Sequence, residues 1–453
     1  MALINPHHIT QEKTPLKKSK MGMEMEFFVL DNKGMMSQQG PKVIDAIAKQ
    51  GIPIIKEIGK NMVEFGCFPS VEAYNPSLHI VKSLHRTIEF CEKNNLVIFP
   101  FATYPGSFIP KISKGARYSL QEKVFGKELI SISCRIAGFH HHYTLPKGVF
   151  DHKKKMLRVL HKGKLSRSLI ASYNFEIAAD PVLTLLTQSS PFYEGMSLAK
   201  DSRVLAYRGG GKLGYMAGLY AKNQQLGGLP PYKQTVTDLL TSLQKRWQRF
   251  ETEARKAAPH VNMNKLYPYK LDITWNPVKI NKLGTLEQRG MDVNYPSITI
   301  ATGVLLKFCL RNIQRHFIEV IPADFGTEEA FKVENGILYV PPHTVVRDQL
   351  QPLSAYDGYA NDLMLHYTKR FFSFALSCTP RKYAPIITPL KEMVEEKKSM
   401  SDKIVAYARQ KGYIQENGAI STSDAADLAL HYAGMLSRDA TKTISKLEKI
   451  RGV

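Results

Sequence analysis

In Met21-Gly-Met-Glu-Met-Glu-Phe-Phe-Val-Leu30, apolar and acidic side chains alternate. Successive residues of a strand face opposite sides, so Met23, Met25 and Phe27 fill a core while Glu24 and Glu26 leave the other face together. Two acids side by side on a strand repel unless a cation lies between them. Taken alone, the pair fits an ordinary amphipathic strand with a solvated acidic face equally well.

Two other segments also place polar residues two apart within an apolar run. Cys134-Arg-Ile-Ala-Gly-Phe-His-His-His-Tyr-Thr-Leu-Pro146 sets His140 and His142 on one face and His141 on the other. A neutral imidazole there suits a metal, and a second can donate to phosphate. Leu283-Gly-Thr-Leu-Glu-Gln-Arg-Gly-Met-Asp-Val-Asn294 puts Glu287 and Arg289 on a common face, which alone is no more than a same-face ion pair. Ile54-Ile-Lys-Glu-Ile-Gly-Lys-Asn-Met-Val-Glu-Phe65 reads as a hairpin turning at Gly59-Lys60-Asn61, which sets Glu57 opposite Glu64.

Taken together, these segments resemble the glutamate–cysteine ligase and carboxylate–amine ligase families, whose catalytic domain is similar to that of glutamine synthetase. The matching elements are Gly22-Met-Glu-Met-Glu26, Glu57 to Glu64-Phe65, Gly138-Phe-His140 with His142, and Gly284-Thr-Leu-Glu287-Gln-Arg289-Gly-Met-Asp292. Looser matches are Ala102-Thr-Tyr-Pro105 with Arg117-Tyr118, and Ser189-Ser-Pro-Phe-Tyr-Glu-Gly195 with Arg203. Tyr104 stands where the carboxylate–amine branch has a histidine, and Gln288 and Gly290 depart from the residues usual around the Glu-x-Arg pair.

The resemblance implies an α+β fold: a curved antiparallel sheet with a concave metal and ATP face, helices behind it, and a helical C-terminal region. It divides the chain into an extension (1–20), a catalytic domain (21–325) and a mostly helical part packed on it (326–453). It implies a ligase that phosphorylates a carboxylate with ATP to an acyl phosphate, which an amine then attacks. The γ-carboxylate of glutamate and cysteine are the leading pair. Such chemistry demands shielded triphosphate charge, in-line placement and exclusion of water.

By the same resemblance, Glu26, Glu57 and Glu64 hold one divalent cation, and Glu24, His140 and Glu287 hold the other. Mg2+ is the expected ion and Mn2+ a workable substitute. Arg289 stabilises the transferring phosphoryl group beside Glu287, while His142, Arg117 and Arg203 bind ATP or substrate. Two other readings stay open on this scaffold: a catalytically silent nucleotide binder and a basic nucleic-acid-binding protein.

Composition bears on that choice. The 453 residues, 43% hydrophobic, suffice for a large core, and 62 basic against 40 acidic residues give a net charge of +22. Much of the excess lies in 147–167 and 442–451, which have few aromatics for base stacking. A solvated basic face is therefore favoured over a nucleic-acid platform, and its field would steer anionic ATP and dicarboxylates. A homo-oligomer is compatible with all of this.

Five scattered cysteines suit reduced thiols and a cytoplasmic setting. The N-terminus lacks signal-peptide architecture, and no apolar run approaches the roughly 18 residues of a membrane span, so no membrane is expected. Tyr207-Arg-Gly-Gly-Gly-Lys-Leu213 fails the phosphate-loop pattern at Ala206 and Leu213 and reads as a surface turn.

Strand signals dominate 21–69 and 131–145. Helical spacing marks 76–94, 174–189 and 235–257. Pro181 should fall near a helix start or at a kink. After Pro296 the chain should be helical, with a loop at 321–345 and two helices in 401–451 parted by 412–421, the second capped by Ser423 or Asp424.

Overall fold

The computed structural model describes residues 19–158, 163–324 and 326–452. Its main sheet has seven strands: β1 (Met21–Asp31), β2 (Ile54–Ile55), β3 (Met62–Gly66), β4 (Leu96–Phe99), β5 (Gly138–Thr144), β6 (Val278–Asn281) and β7 (Thr285–Asp292). They pair antiparallel in the order β6-β7-β5-β1-β3-β2, and β4 pairs with the far end of β1.

One face of this sheet is the floor of the core. Met21, Met23, Met25 and Phe27 of β1 are buried there with Phe139 and Tyr143 of β5 and Leu286 and Met291 of β7. The helix Pro296–His316 lies directly behind. A Cβ at its Gly303 would stand 3.2 Å from both Met23 Sδ and Phe139 Cζ, so glycine lets the helix settle against the strands. The helix Lys164–Thr187 packs beside it against β7. The expected α+β arrangement, antiparallel sheet with helices behind, is what the chain adopts.

The helical C-terminal region is also present, as Asp362–Cys378, Ala384–Glu396, Met400–Gln410 and Thr422–Arg451. The last helix packs on Tyr74–Lys93 and β4, and Lys82 reaches Glu448 at 2.6 Å across the helix pair. One continuous hydrophobic core extends from Met21 to Ile450.

Several local expectations need correction. The segment 21–69 is not all strand, since Gly40–Ala48 is a helix started by Pro41. The segment 321–345 is not a loop: Glu319–Pro322, Val333–Glu334 and Ile337–Val340 form a small sheet that ends before Pro341. The cap of the last helix is Ser421, whose side chain accepts from the Asp424 N–H.

The helix Lys164–Thr187 begins earlier than its periodicity suggests, and Pro181 lies inside it. Every residue from Ser168 to Thr187 is buried, so this stretch is buried all round and shows no stripe. Near Pro181, the Tyr367 hydroxyl donates to the Ala178 carbonyl and the Ser354 hydroxyl to that of Pro181. This helix is long and apolar enough to cross a membrane, contrary to the sequence expectation, yet its apolar stretch is wholly buried within the protein.

Glu176, on that helix, is fully buried, and neither of its carboxylate oxygens meets a hydrogen-bond partner among the described residues. Burial pushes its pKa well up, and Glu287 and Asp180 push it further. The folded chain therefore keeps the proton at pH values where the unfolded chain, with a carboxyl pKa of about 4.3, has released it. Stability from this group is complete below that pH and is lost as pH rises toward the raised folded value. Glu176→Gln, which imitates the protonated form, is expected to raise the thermal midpoint at pH 8 and leave it nearly unchanged at pH 4. Equal midpoints for the two proteins at pH 8 would contradict this account.

Candidate active site

Strand register decides which side chains meet. Gly22 lies opposite His142, His142 opposite Glu287, and Glu287 opposite Lys279. One step along β1, Glu24 lies opposite His140, and Glu26 lies opposite Glu64 of β3. Directly paired residues share a face, so all these side chains leave the side of the sheet away from the core helices. His141 points the other way and is fully buried, its pKa driven down to about 3 mainly by burial.

Glu24 is the centre of the constellation. Its Oε2 lies 3.0 Å from His140 Nδ1 and 3.4 Å from His142 Nε2. His140 Nε2 turns to Glu26 Oε1 at 3.5 Å, and Glu26 Oε2 accepts the Gly138 N–H at 2.5 Å. His142 Nδ1 meets Thr285 Oγ1 at 3.0 Å. The Nε2 atoms of both histidines are buried without a hydrogen bond among the described residues.

Two sets of ligand-type atoms each lie within 4.8 Å of one another: Glu24 with Glu64 and His140, and Glu24 with His142 and Glu287. The grouping differs from the expected one in sharing Glu24, in adding His142, in placing His140 with Glu64, and in leaving out Glu26 and Glu57. Glu57 is not opposite Glu64, because β2 is only Ile54–Ile55 and it is Ile55 that faces Glu64. Glu57 sits in the following loop, where its Oε2 accepts the Ile58 N–H at 3.0 Å, and it borders a cavity that Glu26 and His140 also line.

The charges are graded across the sheet. Burial would raise every one of these carboxyls, but Lys279, Arg289 and His142 hold Glu287 at about 2. Glu24 is likewise held well below its ordinary value by His142 and His140. At the other end, burial lifts Glu64 well above its ordinary value, and Glu24, Glu57 and Glu26 lift it further. Crowded carboxylates with unpartnered imidazole nitrogens among them are a donor set suited to divalent cations that also take phosphate oxygens.

Arg289 Nη1 stands 3.6 Å from Glu287 Oε1. Arg203 donates to the carbonyls of Gly290 (3.1 Å) and Arg289 (3.2 Å), and crosses over Gly138, where a Cβ would lie 2.3 Å from its Nη2. The glycine of the Gly-x-His element is thus required by close approach. Glu26, Glu57, His140, Arg203 and Arg289 line a cavity walled by Tyr118, Tyr207, Tyr220 and Trp275. Arg117 does not line it: the side chain donates to the Leu266 carbonyl and to Asp272, while its neighbour Tyr118 faces the cavity. The Gly209–Gly211 stretch is no free phosphate loop, since Arg208 is locked to Asp180 at 2.5 Å and Lys212 pairs with Asp348 at 3.3 Å.

Gln288 and Gly290 belong to a bulge in β7. Gln288 opposes His141 and Met291 opposes Phe139, so Arg289 and Gly290 together oppose His140. Gly290 donates to the Gln288 side chain, and a Cβ on it would lie 2.3 Å from Arg208 Nη2. The bulge returns Asp292 to the active face, where it accepts from the Ser189 N–H (2.9 Å) and Ser190 Oγ (2.7 Å). Sequence reasoning missed Lys279 and Asn281, although they too are polar residues two apart in an apolar run. Asn281 Nδ2 holds Glu287 Oε2 at 2.5 Å.

The described residues have the fold of a glutamate–cysteine ligase. The crystal structure of glutamate–cysteine ligase from Francisella tularensis in complex with AMP matches with a TM-score of 0.57 at 12% identity, over 95% of this chain and 93% of that one. A bifunctional glutathione synthetase from Pasteurella multocida matches with a TM-score of 0.53 at 13% identity, over 92% of this chain and 52% of that one. No family model and no curated protein sequence matches the chain.

Sharing of Glu24 has a measurable consequence. Glu24→Gln is expected to weaken both equivalents of Mn2+ in a paramagnetic titration, whereas Glu64→Gln should weaken one, each by roughly 10-fold or more. Two unaltered sites in Glu24→Gln would contradict the shared geometry.

Proposed function

We propose that this protein is an ATP-dependent carboxylate–amine ligase that joins the γ-carboxylate of glutamate to an amine, cysteine first among candidates, through an acyl phosphate. The observation that carries the reading is the single sheet face on which Glu24, Glu26, Glu64, His140, His142, Glu287 and Arg289 converge. The glutamate–cysteine ligase fold supports it.

In this reading Glu24, Glu64 and His140 hold one Mg2+, and Glu24, His142 and Glu287 a second. When bound, the cations neutralise triphosphate charge and orient the γ-phosphate. Glu26 keeps the His140 ring turned toward the site, and Glu57 adds charge at the cavity rim. Arg289 presents its planar fork to the phosphoryl group in transfer, where charge spreads over the equatorial oxygens. Arg203, pinned by two carbonyls over Gly138, offers a fixed positive charge to the substrate carboxylate. Tyr207, Tyr220 and Trp275 exclude water that would hydrolyse the acyl phosphate.

The test is phosphate release from ATP with Mg2+ and glutamate, with and without a panel of amines led by cysteine, with products weighed by mass spectrometry. An amine-dependent rate with a dehydrated adduct is the expected result. ATP bound without turnover on any amine would overturn the glutamate assignment. Glu26→Gln should abolish turnover with the fold retained, and activity within about tenfold of wild type would contradict its role. Arg289→Lys should lower kcat far more than it raises the Kd for ATP, because a point charge does not replace the fork. Equal losses in both would contradict transition-state binding.

A further inference from the structure

Lys279 ends the row Gly22, His142, Glu287, Lys279 on the active face, and its side chain is only 8% exposed. A buried ammonium needs an anion or strong acceptors close by. The carboxylate nearest it is Glu287, with Nζ at 3.7 Å from Oε2, beyond hydrogen-bond range. That oxygen already takes the Asn281 amide at 2.5 Å, and Glu287 Oε1 faces Arg289 at 3.6 Å. Glu287 therefore has Asn281 as a direct hydrogen-bond brace and Arg289 as a second facing cation besides Lys279.

The other two acids in its field are engaged as well, Asp272 by Lys282 at 2.7 Å and Arg117 at 3.2 Å, and Glu24 by His140 at 3.0 Å and His142 at 3.4 Å. A divalent cation on Glu287 would repel an ammonium at this distance. Once the site fills, Lys279 needs a new anion on the active face. Arg289 leaves the same face two residues along β7 from the partner of Lys279, so an anion above Glu287 would have a cation on either side.

We propose that Lys279 is a triphosphate-binding residue, whose ammonium leaves Glu287 for a phosphate oxygen of ATP when nucleotide enters. The proposal rests on the reading that this face takes ATP. It requires Lys279 to oppose metal binding in the free protein and to favour nucleotide binding, whereas a lysine that merely braces Glu287 would favour both.

Two titrations on the full chain separate these roles: Mn2+ alone by electron paramagnetic resonance, and ATP with Mg2+ by calorimetry, in wild type, Lys279→Met and Lys279→Arg. Lys279→Met is expected to bind ATP about tenfold more weakly while binding Mn2+ as tightly as wild type or more tightly, and Lys279→Arg to recover most of the nucleotide affinity. An unchanged thermal midpoint verifies that the folds are equivalent. ATP affinity in Lys279→Met within about twofold of wild type would overturn the proposal, as would parallel loss of Mn2+ and ATP binding. If wild type itself binds no ATP, the ligase reading falls and the Lys279 assignment with it, a result distinct from any difference between variants.

Discussion

One carboxylate oxygen, Glu24 Oε2, meets both His140 and His142, and Glu24 belongs to both sets of candidate metal ligands. Its placement depends on packing below the sheet rather than on contacts above it. Met23 and Met25 flank it in sequence and are buried against the core, and β5 and β3 bracket it on either side. A slip of one residue in β1 would expose the methionines and bury the acids, so the apolar face enforces the register of the chemical one. The site is a by-product of core burial on a period of two.

The bulge in β7 is the second device. Regular alternation would keep Glu287 and Arg289 together but turn Asp292 into the core. With Arg289 and Gly290 sharing the place opposite His140, Asp292 returns to the active face and anchors Ser189 and Ser190. From below, Arg208 and Asp180 approach Gly290 so closely that no side chain fits there. From above, Arg203 uses the carbonyls that the bulge exposes. The positions of Arg203 and Arg289 are thus coupled through one backbone irregularity.

What could be read from the chain follows from this. Glu24, Glu26, His140, His142, Glu287 and Arg289 were legible because each pair sits two apart in a strand, and a strand's period does not depend on its partners. Glu57 was misregistered because turn length, not periodicity, sets which residues oppose in a hairpin, and residues 56–61 form a longer connection than the Gly59-Lys60-Asn61 turn suggests. Lys279 hid in a strand of only 4 residues. Arg117 and Tyr118 are neighbours on a helix, and helical neighbours point about 100° apart, so the tyrosine faces the cavity while the arginine faces Asp272. The full length of Lys164–Thr187 was illegible because complete burial erases the stripe that marks a helix.

The same asymmetry accounts for a fold shared at 12% identity. The core face asks only for volume and apolarity, and four methionines of this chain, Met21, Met23, Met25 and Met291, meet that demand with side chains that adapt to almost any neighbour. The active face asks for particular atoms at particular register positions, but these are few and scattered over β1, β3, β5, β6 and β7. Identity summed over the whole chain is diluted by the permissive face, whereas backbone geometry is preserved by it. Structural comparison therefore detects the shared fold where sequence comparison finds no match.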